Sequence, residues 1–498
     1  MREEQPSAFG KVVRHAAHGL VFVLVAAMML FSVWRMAVNT GWNFIFLGGA
    51  VVTAGGCYLL ARLMEKGRFG WIAVLLLAAA ARVAVLLMWN IPPISDFDIA
   101  HKSAVSFWNM PRDAWRAQED TVFFSKIWPN LMPWVLYEAL IVRLFGASVL
   151  AQQISNVFWS AMTCLFICRA GEHMTGSRRA GLMAGFLQAF NCFNLVTVSV
   201  LTCQHIATAL LAAGLCVLFR PARARHQWLQ WVCGGVVIAL SHLMRTEMAV
   251  VLIGIALFGL YRLVVTAVDQ GTWREKGRRM GSLLLSFALF FGTFFGVVEI
   301  ANQIVLGIGA TERPITSPYL KYKVMVGLNA DTNAGWSQAD ADLFVKQVEN
   351  PDEDLLSKAI RRRWRQKDRL PGLMFYKAEA YIGNYFDYFS TLTETEEQAN
   401  FTWNYLPGLC RASMLAISVL TLMGAVKGML DRRNEKLLLT GILLVGYVLA
   451  YLLIEVQTRY AQVLMPMMTM LAGYGGCVWK SSAVRKGKKK DKASQQAA

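Results

Sequence analysis

Apolar positions in this chain come in long unbroken runs, not in narrow helical stripes or alternating strands. The runs fall at approximately 18–38, 43–62, 70–90, 129–145, 149–168, 180–199, 203–219, 228–244, 247–266, 280–306, 405–428, 436–455 and 460–479. Most approach the roughly 20 residues a helix needs to cross the hydrocarbon core of a bilayer. In that solvent each segment must pair its own backbone N–H and C=O groups, so runs of this length predict helices. The expected fold is an all-α polytopic membrane protein with about twelve transmembrane helices, thirteen being the alternative count. Two polar-leaning stretches, 91–127 and 307–404, interrupt the runs, and each is expected to carry interfacial helices.

Lysine and arginine in the short connections set the orientation, because such residues favour the cytoplasmic side. Arg2, Lys11 and Arg14 precede the first run, and Arg62, Lys66 and Arg68 follow the second. Arg220, Arg223 and Arg225, then Arg274, Lys276, Arg278 and Arg279, then Arg432, Arg433 and Lys436 mark later turns. Both termini are then cytoplasmic and both long loops lie outside. The chain divides into N-terminal transmembrane helices (1–90), a first outer loop (91–127) and a central transmembrane core (128–306). A large outer loop (307–404), C-terminal transmembrane helices (405–479) and a basic cytoplasmic tail (480–498) follow. One cluster breaks the parity. Arg169, Arg178 and Arg179 also look cytoplasmic, yet two apolar runs separate them from the first outer loop, where an odd number of crossings is required. Either 129–145 or 149–168 is not a full crossing, or the cluster lies outside.

The formal net charge is +18, with 56% hydrophobic and only 16% charged residues. In a soluble protein that excess would suggest nucleic acid. Here it sits at helix ends and in the tail, which points to membrane topology and to anionic lipid as the tail's partner. No nucleic-acid partner is expected. The nine cysteines form no CxxC and pair with no histidine at zinc spacing, so they read as small buried apolar residues. No P-loop, GxSxG, HExxH or dinucleotide fingerprint is present.

The candidate chemistry lies in the outer loops. Pro92 and Pro93 stop the third helix, and Asp96 and Asp98 follow at the membrane surface. A carboxylate there is well placed to take a proton from an acceptor hydroxyl. It is equally well placed to cap the amphipathic helix that follows and carries His101. Asp340, Asp342 and Arg361 to Arg363 read as a solvated charged face, and Gly327, Asn329 and Gly335 as tight turns. Arg82, Glu138, Arg245, Glu247, Glu299, Glu455 and Arg459 lie within or at the mouths of apolar runs, where ionisable groups face a bundle interior or a water-filled cavity. Arg245 and Arg459 at the outer mouth suit a lipid phosphate; ion pairing with Glu247 and Glu455 is the structural alternative. Gln204 and His205 open another outer helix end.

The order of features resembles the GT-C superfamily of membrane glycosyltransferases, related to protein O-mannosyltransferases and lipid A aminoarabinose transferases, in a form found in Gram-positive bacteria. The resemblance rests on Ser95-Asp96-Phe97, Trp128-Pro129-Asn130-Leu131-Met132-Pro133, Leu144-Phe145-Gly146-Ala147-Ser148 and Gly176-Ser177-Arg178-Arg179-Ala180-Gly181. A late Glu455-x-x-x-Arg459-Tyr460 followed by Pro466, and the loop from Gly327 to Asp340, extend it over roughly residues 70–475. It implies a polyprenyl-phosphate sugar as donor and Asp96 as base. The late motif would place Arg459 at the donor phosphate, and Arg245 and Lys126 are further candidates to hold it. Asp98, His101, Gln204 and His205 would support the site. The acceptor would be an envelope glycan, a teichoic acid, a glycolipid or a protein. No cofactor is implied, though the scheme leaves room for a divalent metal. Two departures stand out. Many relatives carry adjacent acids in the first outer loop, whereas here Phe97 separates Asp96 from Asp98. Many also place an acid where this chain has Cys203-Gln204-His205. A polyprenyl-lipid-linked glycan polymerase or ligase, and a multi-helix transporter, are the competing readings.

Overall fold

The computed structural model describes residues 6–89, 91–221, 226–315, 319–386 and 396–477. The basic tail with its expected lipid contact, and Arg2, Arg223 and Arg225, lie outside the described residues. Among the described residues the regular structure is helical throughout. The order begins α1 (Ala8–Thr40), α2 (Phe44–Met64), α3 (Gly70–Met88), α4 (Asp96–Ser106), α5 (Arg112–Ala117), α6 (Glu119–Val122), α7 (Met132–Phe145) and α8 (Val149–Thr175). It continues with α9 (Arg178–Ala189), α10 (Cys192–Val196), α11 (Gln204–Phe219), α12 (Gln227–Met244), α13 (Ala249–Val268) and α14 (Trp273–Gly307). Then come α15 (Tyr319–Gly327), α16 (Gln338–Glu349), α17 (Leu355–Trp364), α18 (Leu370–Ile382), α19 (Glu396–Asn404), α20 (Leu406–Leu430), α21 (Glu435–Leu453) and α22 (Met465–Cys477).

Local chemistry sets many helix starts. Ser7, Asn43, Ser177 and Asn434 each accept a hydrogen bond from the first turn they precede. Thr272 and Glu275 form a reciprocal capping box at α14. Among the described residues seven helices have the length and apolarity to cross a membrane: Ala8–Thr40, Phe44–Met64, Gly70–Met88, Thr246–Val268, Trp273–Gly307, Leu406–Leu430 and Glu435–Leu453. The pair Pro129–Phe145 and Val149–Thr175, bent by 113°, makes an eighth when taken as one span. Large apolar side chains such as Val51, Val52 and Leu87 stay exposed on the outer helices, as expected where the surroundings are lipid. The chain is a multi-pass membrane protein.

The centre is built differently. α9 is buried on every side from Ala180 to Ala189 and packs against α8 and α22. A Cβ on Gly181 would stand 2.4 Å from the Cys168 carbonyl oxygen, so only glycine permits that approach. Its twelve residues span about 18 Å. A helix enclosed by protein has no need to match the bilayer on its own.

Two ends are distinguished by their contacts. At one, Arg14 pairs with Asp269, Arg179 with Glu65 and Arg262 with Glu435. Lys436 donates to the carbonyls of His173 and Phe219, and Asn434 to that of Met174. These bonds gather the turns between α2 and α3, α8 and α9, and α20 and α21 into one basic end. The opposite end carries α4 to α6 and α15 to α19. α7 stays there: the Trp108 indole donates to the Ala139 carbonyl at 2.7 Å, and Trp134 meets Phe97 edge to face. α8 alone connects the two ends in this stretch. The apolar run 129–145 packs on α4 and meets α8 at a bend of 113°, so the parity holds when the two helices together count as one crossing.

Arg82, wholly buried in α3, donates to Ser160 Oγ at 2.6 Å and to the carbonyls of Ala78, Ala189 and Gln188. Two of these lie at the C-terminal end of α9, where the helix dipole favours a cation. Its place within an apolar run is therefore structural.

Candidate functional site

The site forms where the chain leaves α3 and re-enters as α4. Ser95 adopts φ 52° and ψ −135°, a region costly for a residue with a side chain. That turn makes Asp96 the first residue of α4. The N-cap position belongs to Ser95, whose side chain makes no capping bond. Asp96 is thus not the cap of this helix. Its carboxyl group is accessible, yet enough protein surrounds it that desolvation lifts its pKa above the usual carboxylate range. Arg459 and Lys323 lie close enough to oppose that rise, while Glu455 adds to it.

The second wall is the irregular segment after α21. Glu455, almost fully buried, pairs with Lys323 of α15 and accepts from Gln457 Nε2 at 2.8 Å. Its backbone N–H donates to the Lys323 carbonyl at 2.9 Å. Burial alone would raise the Glu455 pKa, but Lys323 and Gln457 hold it below the ordinary value. Four residues on, the Arg459 guanidinium lies 5.1 Å from the Phe97 ring centre and 5.7 Å from that of Tyr460. The Gln204 amide donates to the Arg459 carbonyl at 3.2 Å, fixing the backbone that carries this arginine. Arg245, at the end of α12, stacks on the same Tyr460 ring at 4.8 Å and pairs with Glu247 at 2.5 Å. Tyr381, Tyr451 and Tyr460 line up behind them, with ring centres 4.4 and 5.7 Å apart.

Asp96, Arg459, Gln204 and Arg245 are therefore brought to one cluster. Asp98 turns aside to Lys102 at 2.6 Å. His101 lies beside Gln152 and Ala147 at the α7–α8 corner, and burial lowers its pKa. His205 is buried with Nε2 2.9 Å from the Thr197 carbonyl, a structural bond. Lys126 sits 3.6 Å from Glu312 on the exposed rim. Among the described residues no group of three or more His, Cys, Asp or Glu gathers to hold a metal.

Two residues escaped the sequence reading. Lys323 is the partner of Glu455, and Lys377 of α18, fully buried, donates to the Gly327 carbonyl at 2.7 Å. Gly327 itself serves a close approach and not a turn: a Cβ there would stand 2.4 Å from the Ile454 carbonyl carbon. The tight turn falls instead on Asn333 and Ala334, both with positive φ. Asp340 is also not solvated. It is buried and binds Arg363 through two bonds, 2.6 and 3.2 Å, and Asn329 at 2.9 Å. These contacts hold α16 and α17 against α15, and so position Lys323.

Desolvation pushes the Lys377 pKa down to about 7, from an ordinary 10.5. The unfolded chain then binds more protons than the folded one between those values, so this group makes stability rise with pH from about 7 to about 10.5. Below that window its effect is constant. Thermal unfolding of Lys377→Met is expected to show a shallower rise over the same window than the parent protein; an unchanged slope would rule out Lys377 as its source.

Residues 129–293 match the family model described as dolichyl-phosphate-mannose-protein mannosyltransferase. Over these residues, less than half of the chain, the protein is similar to that family. The match takes in Gln204, His205 and Arg245 but ends before Arg459 and begins after Asp96 and Lys126. The resemblance read from the sequence agrees with it. No curated protein sequence matches the chain. Among solved structures, ArnT from Cupriavidus metallidurans bound to undecaprenyl phosphate aligns at 13% identity over 82% of this chain and 78% of that one, with a TM-score of 0.34. The apo oligosaccharyltransferase from Archaeoglobus fulgidus aligns at 13% identity, with a TM-score of 0.32, over 83% of this chain and 57% of that one.

Proposed function

We propose that this glycosyltransferase moves a monosaccharide from a polyprenyl-phosphate donor to an envelope acceptor on the outer face of the membrane, with inversion. The observation that carries this reading is Asp96, an accessible carboxylate of raised pKa beside Arg459, at the end opposite the basic turns. The family whose model matches is named for a dolichyl-phosphate sugar donor, which favours a lipid-borne sugar here too. The positive-inside rule assigns the basic end to the cytoplasm. Counting α1 to α3, α8, α9, α11 to α14 and α20 to α22 as crossings gives twelve, with both termini inside.

In the proposed step the acceptor oxygen attacks the anomeric carbon and its proton passes to Asp96. The bond from the anomeric carbon to the phosphate oxygen breaks, and polyprenyl phosphate leaves with the electron pair. Arg459 neutralises the charge that develops on the phosphate. Arg245 beside Glu247 and Lys126 near Glu312 would assist as further donors. The scheme requires no metal.

Protein reconstituted in vesicles is expected to transfer labelled sugar from a polyprenyl-phosphate donor and to give none from a sugar nucleotide. The reverse preference would overturn the proposal. Arg459→Ala should raise the donor KM about ten- to hundredfold, the worth of a charged hydrogen bond, and leave the acceptor KM unchanged. Equal increases in both would make Arg459 a structural residue.

A further inference from the structure

α17 presents two unlike faces. Leu356 and Ala359 are buried, and Arg363 ties the helix inward to Asp340 and, at 2.7 Å, to the Met325 carbonyl of α15. On the other side Lys358, Arg361, Arg362 and Arg365 are all exposed. With Gln366 they line a shallow cleft, largely open to solvent, of about 430 Å³.

The spacing places these cations in one another's way. Lys358 lies three and four positions before Arg361 and Arg362, and Arg365 lies four and three after them. Like charges at those separations destabilise a helix. The helix dipole compensates in the last turn, but it does not account for Lys358 near the start. Asp354 stands 4.0 Å from Arg361 and also serves Lys321 at 3.3 Å. A helix firmly anchored on one face thus concentrates positive charge on the other.

We propose that this cleft docks a phosphodiester-bearing polyanion, and that this polymer is the acceptor. The assignment of the polymer as acceptor rests on the function proposed above; the docking does not. An exposed row of guanidinium, ammonium and amide groups suits a chain of phosphates, since arginine pairs with phosphate through two donors at once. A flat anionic membrane would be met better by basic residues interleaved with apolar ones. The cleft lining is polar throughout, and the exposed Trp364 at the end of α17 stands outside it. Through Arg363 and α15 the cleft is fixed relative to Lys323, so a docked chain is held at a set position from the site.

The test uses the full-length protein in nanodiscs of zwitterionic lipid, with labelled inorganic polyphosphate as probe. Binding is expected and should weaken steeply as salt rises. Replacing all four cations (Lys358→Gln, Arg361→Gln, Arg362→Gln, Arg365→Gln) should weaken it about tenfold or more. Unchanged thermal stability would show that the fold is intact, and the single reversal Arg362→Glu gives a smaller effect in the same direction. In transfer assays the fourfold variant should raise KM for a poly(glycerol phosphate) acceptor and leave kcat, and KM for an uncharged oligosaccharide, as they were. Equal polyphosphate affinity in parent and variant would overturn the proposal. So would binding to phosphatidylglycerol vesicles with none to polyphosphate, which would make the cleft a membrane contact. Absence of transfer from the parent protein, with polyphosphate still bound in the cleft, would overturn the enzymatic reading and with it the acceptor assignment, while upholding the docking site.

Discussion

Asp96→Asn is expected to lower transfer about 10²- to 10⁴-fold, the usual worth of a positioned general base. Asparagine has nearly the same shape and can keep the same neighbours, so folding should survive. Desolvation disfavours the Asp96 carboxylate, and removing that charge carries no evident penalty in stability. The effect should therefore appear in kcat with little change in the unfolding temperature. The pH profile gives an independent reading. A base works only when deprotonated, so transfer in the parent protein should fall as pH drops through the raised Asp96 pKa. That acid limb should lie above the ordinary aspartate value of 3.8. Transfer by Asp96→Asn within tenfold of the parent, in protein shown to be folded, would remove Asp96 from the chemistry.

Much of the fold was legible because a bilayer leaves a segment few options. A run of apolar residues near crossing length becomes a helix whatever its neighbours do. The run 129–145 shows where that reasoning stops. It has the composition of a crossing, but its packing depends on α4 and the turn after it, which offer Phe97 and Trp108 as lateral partners. Sequence periodicity carries no record of that contact. The site was partly legible for a similar reason. Asp96 and Arg459 are chemically conspicuous, one beside a proline stop and the other in a Glu-x-x-x-Arg-Tyr segment. Lys323 was not, because its partner lies 132 residues away and a lone lysine in a polar loop looks solvated. Asp340 misled in the same manner: its partner Arg363 is 23 residues on, within a run of arginines whose other members do face solvent.

Lys323→Met is expected to cost about 3–5 kcal/mol of stability, the range for breaking one side of a buried ion pair. The side chains of Lys323 and Glu455 are only 17% and 5% exposed, so Glu455 would lose the cation it is bonded to. Glu455→Gln should cost less, because the lysine left behind is the more accessible partner. Exchanging both residues for apolar ones should recover much of the loss, since desolvation of the pair is removed with the pair itself. A double-mutant cycle in thermal unfolding measures the coupling, and additive losses would show that the two residues do not act as a unit. The pair also acts on Asp96, with opposite signs. Lys323 favours the Asp96 carboxylate, so its removal should move the acid limb of transfer to higher pH. Glu455 disfavours it, so Glu455→Gln should move the limb to lower pH. A purely structural pair would weaken both variants without moving the limb in opposite directions. That divergence ties α15 and the segment after α21 to the chemistry at Asp96.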